Sequence, residues 1–124
     1  VSDNTGFGTR AADVLIREDG EPLEAIIDYY FEEKPAATRQ MGTQVERMER
    51  LLDLVKQYKA DGVVASRLYM CDLWAFEHFL MRKRLHENNV PFLELEVDYT
   101  PEGQGQIKTR VQAFVESLAD RQTA

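Results

Sequence analysis

The chain carries one cysteine, Cys71, and two histidines, His78 and His86. These are the side chains best suited to act as a nucleophile, a base or a soft metal ligand. Cys71 follows an apolar run, Val63-Val64-Ala65, and a polar connection made by Ser66 and Arg67. It directly precedes Asp72 and a long apolar-faced helical pattern. That order predicts strand, loop and helix, with Asp72 as helix cap and the thiol where the helix starts. In open α/β sheets, ligands gather outside the carboxyl ends of the strands. A helix N-terminus also favours negative charge, through its free N–H donors and its dipole. A thiolate at Cys71, beside Arg67, meets both conditions. On composition alone, a lone cysteine is a small buried hydrophobe. Its position points instead to a nucleophile or a metal ligand.

A nucleophile needs a base. His78 lies about two helical turns beyond Cys71 and points along the apolar line, which suits a packed histidine. His86 lies further along and is expected at the surface. A thiol enzyme using Cys71 with a histidine is therefore the third reading. Iron–sulfur clusters usually take about four cysteine ligands. With one cysteine here, any such cluster would need ligands from other sequence. The chain opens at Val1 without a methionine, which suits a piece of a longer protein; a processed chain is the alternative.

Several elements must position Cys71. Pro22 suits the first position of a helix. Leu23, Ile26, Ile27, Tyr30 and Phe31 follow at spacings of three and four, predicting a helix to about Lys34 that Pro35 ends. Glu32 and Glu33 fall on its solvated side. Thr43 and Glu46 form a T-x-x-E capping box. Val45, Met48, Leu52 and Val55, widened by Leu51 and Tyr58, then trace the clearest amphipathic helix, which Asp61-Gly62 stops. The strand Val63 to Ser66 follows. In the next helix, Trp74, His78, Met81 and Leu85 form one line, and Leu73, Phe76, Phe79 and Leu80 form its neighbour. So wide an apolar arc predicts cover from another domain or subunit. Asn88 and Asn89 suit its end. Pro91 opens a second strand, Phe92 to Val97, whose alternation predicts a wet face bearing Glu94 and Glu96. Two strands joined by a helix make a parallel βαβ unit. Asp98 and Tyr99 then fall on the same rim as Cys71. After a loop with Pro101, Gly103 and Gly105, residues Ile107, Val111, Phe114, Val115 and Leu118 predict a last helix. Lys108 and Arg110 are expected near its start, where positive charge opposes the dipole. They are read as solvated, with an anionic partner as the alternative. Gly6 and Gly8 suit a solvated loop rather than a dinucleotide fingerprint, and Ala11 to Ile16 decides for neither helix nor strand.

At 124 residues, the chain suits one domain with a modest core. Fifteen basic against 22 acidic residues give a net charge of −7. That sign argues against nucleic-acid binding and against an anionic membrane surface. No apolar run approaches the roughly 20 residues of a membrane span. One cysteine cannot form an internal disulfide, which suits a reducing, cytoplasmic setting.

Four stretches together resemble a known family. They are VSDNTGFGTR at the start, DGVV followed by Cys-Asp at a helix start, NNVPFLELEVDY, and GQIKTRVQAFVESL. In this order they resemble the C-terminal part of benzoyl-CoA reductase and 2-hydroxyacyl-CoA (2-hydroxyglutaryl-CoA) dehydratase subunits. The resemblance implies residues 1–124 as a single C-terminal, flavodoxin- or Rossmann-like α/β domain, a fragment of a longer subunit. It implies a [4Fe-4S] cluster held by three cysteines, one corresponding to Cys71. It implies a homologous sister subunit, a separate ATP-dependent activator that delivers electrons, and a CoA-thioester substrate reduced through a radical. The other two cysteines are missing here, so this chain alone is expected to hold no intact cluster and to be inactive by itself. Asp72-Leu73-Trp74 departs from the Cys-Asp-Pro of several members; the subclass stays open, with the benzoyl-CoA reductase side favoured. Ser66, Arg67, Asp98 and Tyr99 are candidates for the rim around Cys71, without assigned chemistry. The competing reading is a non-catalytic α/β interaction module, with Cys71 a packed structural thiol and the helix 72–88 a partner surface.

Overall fold

A computed structural model describes residues 14–34, 42–100 and 103–123. The glycine loop at Gly6 and Gly8, Pro35 and Pro101 lie outside the described residues. The chain divides into two compact units, Val1–Leu51 and Leu52–Ala124.

In the first unit, helix α1 spans Pro22–Asp28, with Pro22 in its first turn as expected. Glu21 caps it: Oε2 accepts from the N–H of Leu23 at 2.6 Å and of Glu24 at 3.4 Å. A π-helical turn, Tyr29–Glu33, continues it, and Lys34 N–H donates to Tyr29 O at 2.7 Å. The predicted apolar stripe is not the buried one. Ala25 and Tyr29 are buried, whereas Leu23, Ile26, Ile27, Tyr30 and Phe31 are exposed. Ala25 and Tyr29, four residues apart, form the buried line, and the larger apolar side chains lie to either side of it. Glu32 and Glu33 are exposed.

Helix α2 spans Gln44–Gln57. Thr43 stands at its cap: its carbonyl accepts from Arg47 N–H at 3.0 Å and its hydroxyl from the Arg47 guanidinium. Met48, Leu51, Leu52 and Leu54 are buried. Val45, expected on the same stripe, is 74% exposed in the first turn.

The second unit holds a βαβ unit. Strand β1 (Val63–Leu68) and strand β2 (Phe92–Val97) pair in parallel, in register from Val63 against Phe92 to Leu68 against Val97. Helix α3, Asp72–Glu87, connects them and packs on both. Helix α4, Gln104–Thr123, packs on β2. The result is an α/β fold with a short parallel sheet flanked by helices, as predicted. Gly62 leads into β1 beneath α4: a Cβ there would stand 2.8 Å from Phe114 Cζ, so a larger residue would have to push that ring aside. Asn88 caps α3, and Asn89 turns left-handed at φ 57°. Val90 N–H then donates to Leu85 O at 2.9 Å and Asn89 N–H to His86 O at 3.0 Å, the bond pair of a Schellman ending.

Three boundaries differ from expectation. β1 runs on to Leu68, so Ser66 and Arg67 are strand residues rather than a connection. Cys71, not Asp72, is the N-cap of α3; its backbone is extended (φ −87°, ψ 90°), while Asp72 is already helical. α4 starts at Gln104, which brings Gly105 into its first turn and moves Lys108 and Arg110 beyond it.

Candidate functional site

The rim lies at the carboxyl ends of β1 and β2. Tyr69 N–H donates to Val97 O at 2.8 Å, which ties the two strand ends together. Met70 then turns the chain through a left-handed conformation (φ 62°), and Cys71 N–H donates back to Leu68 O at 3.1 Å. That tight turn delivers Cys71 to the start of α3, partly exposed, with its side chain making no capping hydrogen bond. Asp98 and Tyr99 leave the neighbouring strand end, both exposed, and Tyr99 N–H donates to Asp98 Oδ1 at 2.6 Å. They line a cleft of about 420 Å³ with Glu96, Thr100, Gln104 and Arg110. The cleft lies between the end of β2 and the start of α4, and Cys71 is not among its lining residues. Arg110 is not simply solvated: its guanidinium donates to Glu94 O at 2.7 Å.

Ser66 and Arg67 stand short of the rim. Ser66 is exposed, and Arg67 points to the opposite face of the strand. Arg67 Nε lies 3.2 Å from Glu94 Oε1, and the same guanidinium pairs with Glu96. Its charge is committed to β2 rather than to the thiol.

The face of β2 predicted to be wet is partly covered by α3. Glu94 is only 19% exposed at its side chain and carries a network. Oε2 pairs with Arg82 of α3, and Oε1 lies 3.4 Å from His78 Nδ1. That last approach is too misaligned for a hydrogen bond. Neither ring nitrogen of His78 has a hydrogen-bond partner among the described residues. His78 is 1% exposed, with edge contacts to Trp74 and Phe92. Burial pulls its pKa down, opposed by Glu94 and helped by Arg67 and Arg82. For Glu94, burial pushes the pKa up, but the bonds from Arg67 and Arg82 override it and hold the carboxyl below its ordinary value. His86 is exposed. Sequence reasoning missed this network. Glu94 read as an outward residue of an alternating strand, and only the helix packed across that face reveals its partners.

No group of three or more His, Cys, Asp or Glu placed to hold a metal ion occurs among the described residues.

A family model described as 2-hydroxyglutaryl-CoA dehydratase, D-component, matches residues 1–118. The chain belongs to this dehydratase family. Relatives include the inferred dehydratase subunit YjiM of Escherichia coli (strain K12), 30% identical over 112 residues, covering 90% of this chain and 28% of that protein. The (R)-phenyllactyl-CoA dehydratase beta subunit of Clostridium sporogenes is 25% identical over 122 residues, 95% of this chain and 31% of that protein. The (R)-2-hydroxyglutaryl-CoA dehydratase subunit beta of Acidaminococcus fermentans is 32% identical over 72 residues, 58% of this chain and 19% of that protein. The chain thus spans less than a third of the length of these dehydratase-family relatives. No helix among its described residues is long and apolar enough to cross a membrane.

Proposed function

We propose that this chain supplies one cluster ligand, Cys71, to an iron–sulfur dehydratase acting on a 2-hydroxyacyl-CoA thioester. The observation that carries the proposal is the placing of a partly exposed sulfur at the N-cap of α3, on the rim where β1 ends, in a chain of this family. The first N–H groups of a helix and its dipole favour a thiolate there. One thiol fits one iron of a [4Fe-4S] cluster, and the remaining ligands come from elsewhere in the assembled enzyme. When bound, such a cluster supplies single electrons at low potential. This chain's residues hold one corner of it, and Asp98 and Tyr99 border the adjoining rim.

The assembled enzyme then works with a homologous sister subunit, an ATP-dependent activator that delivers electrons, and a CoA-thioester substrate, in the cytoplasm. The Clostridium sporogenes and Acidaminococcus fermentans relatives are dehydratase beta subunits, which favours dehydration over ring reduction as in benzoyl-CoA reductase. The interaction-module reading draws on a specific feature, the exposed Leu73, Phe76 and Phe79 of α3. One experiment separates the two. The complete enzyme is assembled without oxygen, with and without Cys71→Ser, and its iron and visible absorbance are measured. Loss of iron and absorbance in the variant is expected. Equal iron in both proteins, or none in either, would overturn the cluster proposal in favour of the module.

A further inference from the structure

Glu94 belongs to β2, yet it grips both arms of the strand–turn–helix segment that carries Cys71. On one arm, Arg67 of β1 stands four residues before the cysteine and places Nε 3.2 Å from Glu94 Oε1. On the other arm, His78 and Arg82 of α3 stand seven and eleven residues after it. His78 Nδ1 is 3.4 Å from Oε1, and Arg82 pairs with Oε2. Among the described residues, the other pair made by Arg67, with Glu96, joins strand to strand and leaves the helix out. We infer that Glu94 is a positioning residue for Cys71: by clamping β1 and α3 at a fixed angle, it fixes where the intervening turn holds the sulfur.

The physical case rests on depth and on leverage. The side chains of Glu94 and Arg67 are 19% and 18% exposed, so water and salt weaken their attraction less than at an open surface, whereas Arg82, 61% exposed, makes the more screened arm toward α3. Removing the carboxylate also leaves Arg82 facing His78 without the Glu94 charge, while Arg67 keeps its pair with Glu96 and loses its tie toward the helix. The turn itself is short. Tyr69 is bonded to Val97 O and Cys71 to Leu68 O, with only Met70 between them. A change in the angle between strand and helix must therefore be absorbed at Met70 and Cys71.

This inference rests on the reading of Cys71 as the functional group, but its test is separate. The alkylation rate of Cys71 is measured in the full chain at fixed neutral pH for Glu94→Gln, Glu94→Ala and the packing control Leu85→Val. Leu85 is buried on the same helix and has no part in the clamp. Glu94→Ala, which removes the pairs with both Arg67 and Arg82, is expected to raise the rate about fivefold or more. Glu94→Gln, whose amide oxygen can still accept from the arginines, should fall between. Leu85→Val should lower the melting temperature yet leave the rate within about twofold, since it touches packing alone. A control that raises the rate as much as the Glu94 variants would reduce the clamp to general stability and overturn the inference, as would unchanged rates in both Glu94 variants. If Glu94→Ala does not fold, the comparison of Glu94→Gln with Leu85→Val decides. Iron retained in Cys71→Ser would overturn the cluster proposal while leaving these rates as measured.

Discussion

His78 is buried between the rings of Trp74 and Phe92, with both nitrogens unbonded among the described residues. A neutral imidazole tolerates that position; an imidazolium does not, because burial removes its water while Arg67 and Arg82 stand near. Glu94 offsets part of this cost, but the net shift is downward from the ordinary 6.5. The linkage sign follows. Around and below pH 6.5 the unfolded chain binds a proton that the folded chain resists, so stability is fully present above that pH and is lost as pH falls toward the folded value. Glu94, held below its ordinary 4.5, adds a loss of the same sign at lower pH. Denaturant midpoints measured between about pH 7 and 5 should therefore decline in the native chain. In His78→Phe, which keeps an aromatic ring there without a titrating group, the decline should be shallower. Parallel curves would show that the fold does not resist protonation at this site.

At the scale of elements, the two helices that lead toward the strands end in the same way. α2 finishes with Lys59 at φ 48°, Ala60 N–H bonded to Val55 O at 2.9 Å and Lys59 N–H to Lys56 O at 3.2 Å. α3 finishes with Asn89 in the equivalent place. Both residues carry a Cβ in a conformation that costs a side chain roughly 1 kcal/mol, less for asparagine than for lysine. Lys59→Gly should stabilise the chain by up to about 1 kcal/mol and Asn89→Gly by less, partly offset by the freedom glycine gains when unfolded. Thermal melts of the two variants check the order; a drop for Lys59→Gly would show that its side chain matters more than its backbone. The α3 ending was legible in Asn88-Asn89, because asparagine tolerates the left-handed turn. The α2 ending was not, because lysine carries no such signal. The parallel pair was legible from Pro91 and the alternating run to Val97. The length of β1 was not, because Arg67 reads as a loop residue until Glu96 is seen beside it in register. α1 misled for a related reason. Its spacing marks the larger apolar residues, whereas the line that is buried runs through Ala25 and Tyr29 and leaves Leu23, Ile26 and Ile27 exposed.

At the scale of the molecule, apolar surface is the unsettled balance. A two-stranded parallel sheet is marginal by itself, since parallel sheets are ordinarily covered on both faces. The helix that covers one face of this sheet leaves Leu73, Phe76 and Phe79 at 48%, 58% and 61% exposure. Phe76 and Phe79 are neighbours on the surface of α3 by their spacing of three. Burying the exposed part of each ring against another surface is worth about 1 kcal/mol or more. The net charge of −7 opposes self-association at long range, and salt screens that repulsion. The chain by itself should therefore associate as its concentration rises, and more strongly at high salt than at low. Replacing both rings, Phe76→Glu with Phe79→Glu, removes the apolar contact and adds like charge, so the double variant should sediment as a monomer in both conditions. A native chain that stays monomeric at every concentration, or a double variant that associates as the native chain does, would show that α3 is not the adhesive face.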